Sequence, residues 1–150
     1  MEAESYADSE VSNFIAANFV PVEAHIKEHP AWFHRFEVSW TPSVLIFDPN
    51  GVERLRIEGY LPKPEFRAHL ELGLARVAFQ SKKWPEAEKI YGGIVQRYPT
   101  SFVSPEAEYW AGVSRYQQTH DPKVLGQIAQ VLAKKHPQSI WNEKASIWRS

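Results

Sequence analysis

Cysteine is absent from this chain of 150 residues. Disulfide bridges, thiolate metal sites and catalysis by a thiol all require a cysteine sulfur, so this sequence excludes all three. We therefore expect the chain to have no thiol–disulfide oxidoreductase activity of its own. The absence does not by itself identify a cellular compartment.

Long apolar runs and a strong net charge are also absent. A membrane-spanning helix needs about 18 consecutive apolar residues, and no stretch of this sequence approaches that length. The N-terminus lacks the basic and then apolar pattern of a secretory signal. The formal net charge of -1 argues against general nucleic-acid binding. We expect neither a membrane nor a nucleic-acid partner, and the cytoplasm is the default location.

The apolar content and the distribution of charge indicate what the chain can form. With 43% hydrophobic and 13% aromatic residues, it can bury the core of one domain or of two small ones. Residues 1–61 hold 4 Lys and Arg against 10 Asp and Glu, whereas residues 62–150 hold 13 against 8. This asymmetry indicates two segments of different character.

A β-hairpin is the most distinct local pattern in the first segment. Residues 44–47 are a continuous run of apolar β-formers, and residues 55–57 alternate between apolar and charged side chains. The intervening Asp-Pro-Asn-Gly at residues 48–51 has the chemistry of a turn. Pro42 comes directly before the first strand, where a cis peptide bond can form a sharp bend. We predict an antiparallel pair preceded by a cis Thr41–Pro42 bond.

Three further elements are predicted before the hairpin. Apolar residues at spacings of three and four predict a helix over residues 9–18, which Asp8 or Ser9 can cap. Residues 19–26 are rich in β-branched side chains and form a strand candidate. Residues 29–37 are interpreted as a turn or a short helix.

The second segment has a helical pattern throughout. Two prolines at positions 62 and 64 open a long helix predicted over residues 64–81. An internal repeat follows, because Arg-Tyr-Pro-Thr-Ser at residues 97–101 is echoed by Lys-His-Pro-Gln-Ser at residues 135–139. The repeat implies two helix pairs, and residues 139–150 are predicted to form one more helix that caps them.

The hairpin and its surroundings resemble the thioredoxin family. Trp40, Thr41 and Pro42, the strand that ends at Phe47, the turn and Gly59 follow the order of the second half of that fold. The resemblance covers about residues 8–72 and implies an incomplete thioredoxin-like domain over residues 1–67, without the family's Cys-x-x-Cys motif. It also implies that the central strand is missing, which leaves a gap in the sheet or a direct pairing of residues 20–24 with residues 44–47.

The helical repeat resembles the tetratricopeptide motif, whose unit is about 34 residues long. The two units would span residues 68–101 and 106–139, and each would end near its proline. The predicted fold is therefore α/β followed by all-α: a thioredoxin-like domain and then antiparallel tetratricopeptide-like helix pairs over residues 68–150, which share the junction helix.

The candidate site follows from the thioredoxin resemblance. In that family the cis-proline positions a backbone that pairs with an extended peptide, so the resemblance implies a peptide-binding edge. The residues assigned to this edge are Trp40, Thr41, Pro42, Val44 and Ile46. Two structural alternatives stay open: Pro42 can serve only to enter the strand, and Trp40 can be a core residue.

No catalytic residue, metal ligand or cofactor site is predicted. The densest group of potential ligands consists of Glu23, His25, Glu28, His29 and His34, but their spacing does not match a known metal site. A metal-dependent hydrolase would depend on these histidines alone.

The predicted function is a redox-inactive, protein-binding or scaffold module rather than an enzyme. Its partner would be a protein or a peptide, or a second copy that associates through the open sheet edge. The alternative is a fragment of a longer thiol–disulfide oxidoreductase whose cysteine motif lies upstream of Met1. Cysteines encoded in frame upstream of Met1 would favour that alternative.

Overall fold

The computed structural model describes residues 8–149. The chain divides into two compact units, and the boundary lies between Phe66 and Arg67. The secondary structure elements are, in order, α1 (Ser9–Asn18), α2 (Pro30–Arg35), β1 (Ser43–Phe47), β2 (Glu53–Glu58), α3 (Lys63–Gln80), α4 (Trp84–Arg97), α5 (Ser104–Thr119), α6 (Lys123–Lys135) and α7 (Ile140–Ala145). A 3-10 helix, Ser146–Trp148, follows α7. The chain is thus mostly helical, with a two-stranded sheet in the first unit.

Helix α1 has the predicted bounds, and Asp8 is its cap. One carboxylate oxygen of Asp8 accepts hydrogen bonds from the N–H groups of Glu10 and Val11, at 3.0 and 3.2 Å. The ammonium group of Lys63 lies 2.9 Å from the other oxygen, and this contact is the main reason that the pKa of Asp8 is lowered. The side chain of Val11 is fully buried, so the cap and one apolar residue fix the start of the helix.

The predicted antiparallel hairpin is confirmed. Strand β1 pairs with β2, and Val44 faces Ile57 while Ile46 faces Leu55. In the turn, Asp48 accepts hydrogen bonds from the backbone N–H groups of residues 50 and 52. Gly51 has a φ of +78°, a conformation that glycine adopts without steric cost.

The strand predicted over residues 19–26 is wrong. Residues 19–25 follow α1 without regular secondary structure, and within residues 8–149 β1 and β2 are the only strands. Val20 and Val22 are 92% and 71% exposed. A strand needs a hydrogen-bonded neighbour, and high β propensity cannot supply one. The direct pairing of residues 20–24 with residues 44–47 is therefore not formed.

In the second unit each helix packs against its neighbour in sequence. Helix α4 contacts α5, α5 contacts α6, and α7 contacts both α5 and α6. The fully buried side chains of this unit include Tyr91, Ile94, Ala107, Ala129 and Leu132. None of the helices in the described part of the chain is long and apolar enough to cross a membrane.

The two repeated segments have nearly the same backbone geometry. Tyr98 and His136 end their helices with φ and ψ of -129° and 58°, and of -135° and 56°. Each N–H donates a 2.8 Å hydrogen bond to the carbonyl four residues earlier. The two segments therefore end their helices in the same way.

The final predicted helix is shorter than expected, because α7 ends at Ala145 and continues as a 3-10 turn. The guanidinium of Arg149 donates a 3.1 Å hydrogen bond to the carbonyl of Asn142. In a continued α-helix, the carbonyl of Asn142 would accept a hydrogen bond from the N–H of Ser146. Here that N–H donates to the backbone carbonyl of Glu143 instead.

Candidate functional site

The candidate site is the segment that leads into β1, together with the strand itself. The Thr41–Pro42 peptide bond is cis, as predicted. The carbonyl of Pro42 accepts a 2.8 Å hydrogen bond from the N–H of Gly59, and the hydroxyl of Ser43 donates to the carbonyl of Trp40 at 2.6 Å. These bonds fix the backbone at the start of the strand and leave the Trp40 side chain 67% exposed.

The direction of the backbone groups of β1 follows from its two ends. The Pro42 carbonyl bonds to the extension of β2 at Gly59, and at the other end the N–H of Asp48 donates to the carbonyl of Val52. Hydrogen-bonded pairs alternate with non-bonded pairs in an antiparallel ladder. The backbone groups of Val44 and Ile46 therefore point toward β2. Those of Ser43, Leu45 and Phe47 point to the opposite, outer edge of β1.

Within the described residues, no strand pairs with the outer edge of β1. Backbone N–H and C=O groups on such an edge can accept an added strand. Sequence reasoning did not identify Ser43 and Leu45 as the residues that present these groups. Finding them requires the hydrogen-bonding phase of the hairpin, which the Pro42–Gly59 bond reveals.

The side chains predicted at the site are exposed to different degrees. Trp40 and Thr41 are exposed, whereas Pro42 and Val44 are half-buried. Ile46 is only 5% exposed and shares its face of the sheet with Leu55. Ile46 can therefore contribute packing beneath the edge but offers no side-chain surface to a partner. Trp40 is not a core residue.

The first unit exposes many large apolar side chains. They are Val20, Val22, Ile26, Trp32, Trp40, Phe47, Val52 and Tyr60. In the second unit only Phe102, Ile140 and Ile147 are comparably exposed among the described residues. Concentrations of exposed apolar surface are typical of protein interaction sites.

The histidine-rich segment forms no metal site among the described residues, where no three His, Cys, Asp or Glu side chains converge. His25 lies 3.2 Å from the carboxylate of Glu23, and the ring of His29 stacks on Trp32 with centroids 5.0 Å apart. These contacts give the two histidines local roles in the first unit.

A cluster of aromatic rings in the second unit was not predicted. Tyr109 stacks on Trp148 at 4.9 Å and contacts Trp141 at 5.1 Å, while Trp110 contacts Phe79 at 4.9 Å. Burial raises the pKa of Tyr109. The rings join α3, α5, α7 and the 3-10 turn, so the cluster holds these elements together rather than forming an open pocket.

Comparison with known proteins gives one match. Residues 1–74 match the family model of a thioredoxin-like domain, which supports a thioredoxin-like family for this part of the chain. No curated protein and no solved structure matches the sequence.

Proposed function

We propose that the chain is a protein-binding module in which the outer edge of β1 accepts an extended peptide segment. The thioredoxin-like match of residues 1–74 supports this proposal at the level of the fold. The observation that carries it is the outer edge itself, where the backbone groups of Ser43 and Leu45 face away from β2 and no described strand pairs with them.

The residues around the edge suit an extended apolar ligand. Trp40 lies directly before the Thr41–Pro42 pair and exposes two thirds of its surface, and an exposed indole next to a strand edge can cover an apolar side chain of the ligand. Phe47 is 37% exposed at the other end of β1. Backbone hydrogen bonds would supply affinity, and these two aromatic side chains would supply selectivity.

Thiol chemistry plays no part in the proposed function, because the chain has no cysteine. We expect no turnover in an insulin reduction assay with dithiothreitol beyond the rate of the reductant alone. A rate above that background would contradict the redox-inactive assignment.

We propose a scaffold role for the second unit, as an array of tetratricopeptide-like helix pairs. In such an array α3 and α4 would form one pair, α5 and α6 the next, and α7 would begin a third. Three observations support this arrangement: α3 contacts α5 through Arg76 and Glu106 at 2.7 Å, α5 contacts α7, and the two repeated segments have the same helix ends. Nearest-neighbour packing of this kind is typical of helical repeats.

Amide hydrogen exchange tests the β1 edge. The probe is a synthetic peptide of alternating valine and threonine. It should slow exchange at Ser43 and Leu45 by at least about tenfold, because new backbone hydrogen bonds would cover those amides. The amides of Val44 and Ile46 already face β2 and should change little.

A matched control uses the same peptide with an N-methyl group on every residue, which removes the backbone donors from both edges and keeps the side chains. It should leave Ser43 and Leu45 unprotected. Strong protection of these two amides before any peptide is added, at a protein concentration low enough to keep the chain monomeric, would contradict the proposal. So would peptide binding that leaves their exchange unchanged.

The alternative function, a fragment of a thiol–disulfide oxidoreductase, stays a prediction. The coding sequence upstream of Met1 decides between the two functions, since the alternative requires an in-frame Cys-x-x-Cys motif there.

A further inference from the structure

Residues 20–24, Val-Pro-Val-Glu-Ala, have the composition of a strand but no strand beside them within residues 8–149. Their backbone groups make no hydrogen bond with the rest of the described chain, and Phe19 directly before them is extended, with a φ of -132° and a ψ of 163°. Val20 is 92% exposed and Val22 is 71% exposed. An exposed segment with two β-branched residues and no described hydrogen-bonded neighbour is suited to pair with a sheet edge.

Strand β1 lacks the features that normally prevent edge pairing. Its five residues, Ser-Val-Leu-Ile-Phe, include no charged side chain and no proline. Natural edge strands usually carry a lysine, a proline or a bulge that blocks a second strand. The irregularity in this hairpin falls between Ile46 and Phe47, beyond the outward-facing groups of Ser43 and Leu45.

We propose that a second copy of this chain is the natural occupant of the edge, with residues 20–24 of one copy paired to β1 of the other. The inference rests on the proposed function, because it uses the same edge. Each copy supplies both an edge and an unpaired segment, so two copies related by a twofold axis would satisfy both edges and close the assembly as a dimer.

Pro21 determines which edge of residues 20–24 can pair. Alternate residues of a strand direct their backbone groups to the same edge, so residues 20, 22 and 24 share one edge and Pro21 lies on the other. Pro21 has no N–H to donate, and the edge of residues 20, 22 and 24 is therefore the one that pairs. In the antiparallel register that pairs all three of these residues with the three outward-facing residues of β1, Val22 lies opposite Leu45 and Val20 lies opposite Phe47.

The side chains that would meet in this register are apolar and exposed in the single chain. Val20 is 92% exposed and Phe47 is 37% exposed, and residues directly opposite in a ladder have side chains on the same face. Pairing would therefore cover two of the exposed apolar residues of the first unit. The absence of charge from β1 means that the pairing buries no charged side chain of that strand.

Light scattering after size-exclusion chromatography, over a wide range of protein concentration, is the first test. Wild type should approach the mass of a dimer as the concentration rises. Val22→Lys should raise the dissociation constant of the dimer at least about tenfold, because it places a charged side chain opposite Leu45. Position 22 is exposed, so this variant should keep the wild-type circular dichroism spectrum. The matched control is Ile140→Lys, which introduces a charge on α7 at a residue that is 61% exposed. This variant should dimerise like wild type.

The second test uses engineered cysteines, which are the only thiols in their chains because the natural sequence has none. A Val22→Cys chain mixed with a Leu45→Cys chain under mild oxidation should give the heterodisulfide as the main crosslink. The control mixture pairs Val22→Cys with Phe102→Cys, whose position is 87% exposed in the second unit, and should give little crosslink.

The outcomes separate the two proposals. A chain that stays monomeric but binds the valine–threonine peptide at Ser43 and Leu45 overturns the second-copy inference and leaves the proposed function standing. A dimer that does not form the Val22→Cys to Leu45→Cys disulfide also overturns the inference. A monomer whose edge amides never respond to the peptide overturns both.

Discussion

Gly112 lies so close to Ile128 that a Cβ atom at position 112 would fall 2.0 Å from the Cγ1 atom of Ile128. Gly112 is buried on α5 and Ile128 is half-buried on α6. The missing side chain therefore allows the two helices to approach closely. Glycine here has a packing role that its low helix propensity would otherwise oppose.

We predict that Gly112→Ala lowers the free energy of unfolding by about 1–3 kcal/mol, because Ile128 or its helix must shift. Gly92→Ala is the matched control, since a Cβ at position 92 would meet nothing within 4 Å. That change should raise the free energy of unfolding by about 0.5–1 kcal/mol through helix propensity. Urea unfolding followed by circular dichroism measures both. Equal effects of the two substitutions would contradict this account of Gly112.

The ion pair between α3 and α4 gives a second prediction. The guanidinium of Arg97 lies 2.5 Å from the carboxylate of Glu71, whose side chain is only 6% exposed. Arg97→Ala would leave that buried carboxylate without the Arg97 guanidinium and should lower the free energy of unfolding by about 1–3 kcal/mol. Adding Glu71→Gln to Arg97→Ala should restore part of the loss, because a neutral amide is less costly to bury.

The control for this pair is Arg115→Ala. Arg115 pairs with Glu88 at 2.7 Å, but the Glu88 side chain is 24% exposed, so removing Arg115 should lower the free energy of unfolding by at most about 1 kcal/mol. Urea unfolding of wild type and the three variants provides the comparison. If Arg97→Ala lowers the free energy of unfolding no more than Arg115→Ala does, burial of the Glu71 carboxylate does not depend on Arg97.

Asp48 gives a prediction at acid pH. Its carboxylate accepts hydrogen bonds from two turn N–H groups and pairs with Arg54 at 2.7 Å. The bond from Val52 is the main reason that the pKa of Asp48 lies below its ordinary value of 3.8. A lowered pKa in the folded state means that the stabilisation is present above pH 3.8 and is lost as the pH falls through the lowered value.

We therefore expect a carboxyl carbon titration of Asp48 by NMR to show a midpoint below 3.8. Asp48→Asn should destabilise the hairpin at neutral pH, and its deficit relative to wild type should shrink as the pH falls. Asp121→Asn, at an exposed carboxylate before α6, is the control and should destabilise the chain less at neutral pH. A midpoint at or above 3.8 would show that the turn does not favour the charged form.

Tyr91 gives a prediction at alkaline pH, where its contribution to stability should fall as the pH rises. Its side chain is 1% exposed, and burial is the main reason that its pKa is raised above the ordinary value of 10.0. The neutral phenol is thus favoured in the folded state. The stabilisation is fully present below pH 10.0 and declines as the pH rises further.

Tyr91→Phe should remove that part of the decline. The difference in unfolding free energy between the variant and wild type should shift in favour of the variant by at most about 1.4 kcal/mol per pH unit above about pH 10. Urea unfolding between about pH 8 and about pH 11 measures this shift. Tyr60→Phe is the control, since its ring is 51% exposed. If the unfolding free energy changes with pH in the same way for wild type and both variants, the role assigned to Tyr91 is contradicted.

Local patterns in the sequence determined much of the secondary structure. Helix α1 begins where Asp8 can cap it, and the hairpin turns at Asp-Pro-Asn-Gly, because capping and turn chemistry act between residues close in sequence. The same locality explains why the helix ends before Pro99 and Pro137 were predictable, whereas the cis bond at Pro42 was predicted from its place in the thioredoxin-like pattern. The lack of cysteine alone excluded thiol chemistry.

Only the tertiary structure decided the features that depend on distant partners. Residues 20–24 have a strand composition but form no strand, since strand formation requires hydrogen bonds from another segment and no described strand lies beside them. The final α-helix ends at Ala145, and the Arg149 guanidinium donates a hydrogen bond to the carbonyl of Asn142. Likewise, Ser43 and Leu45 face outward because the Pro42–Gly59 bond sets the phase of the ladder. Composition and periodicity describe a residue's preference, whereas its hydrogen-bonding partner is determined by the folded chain.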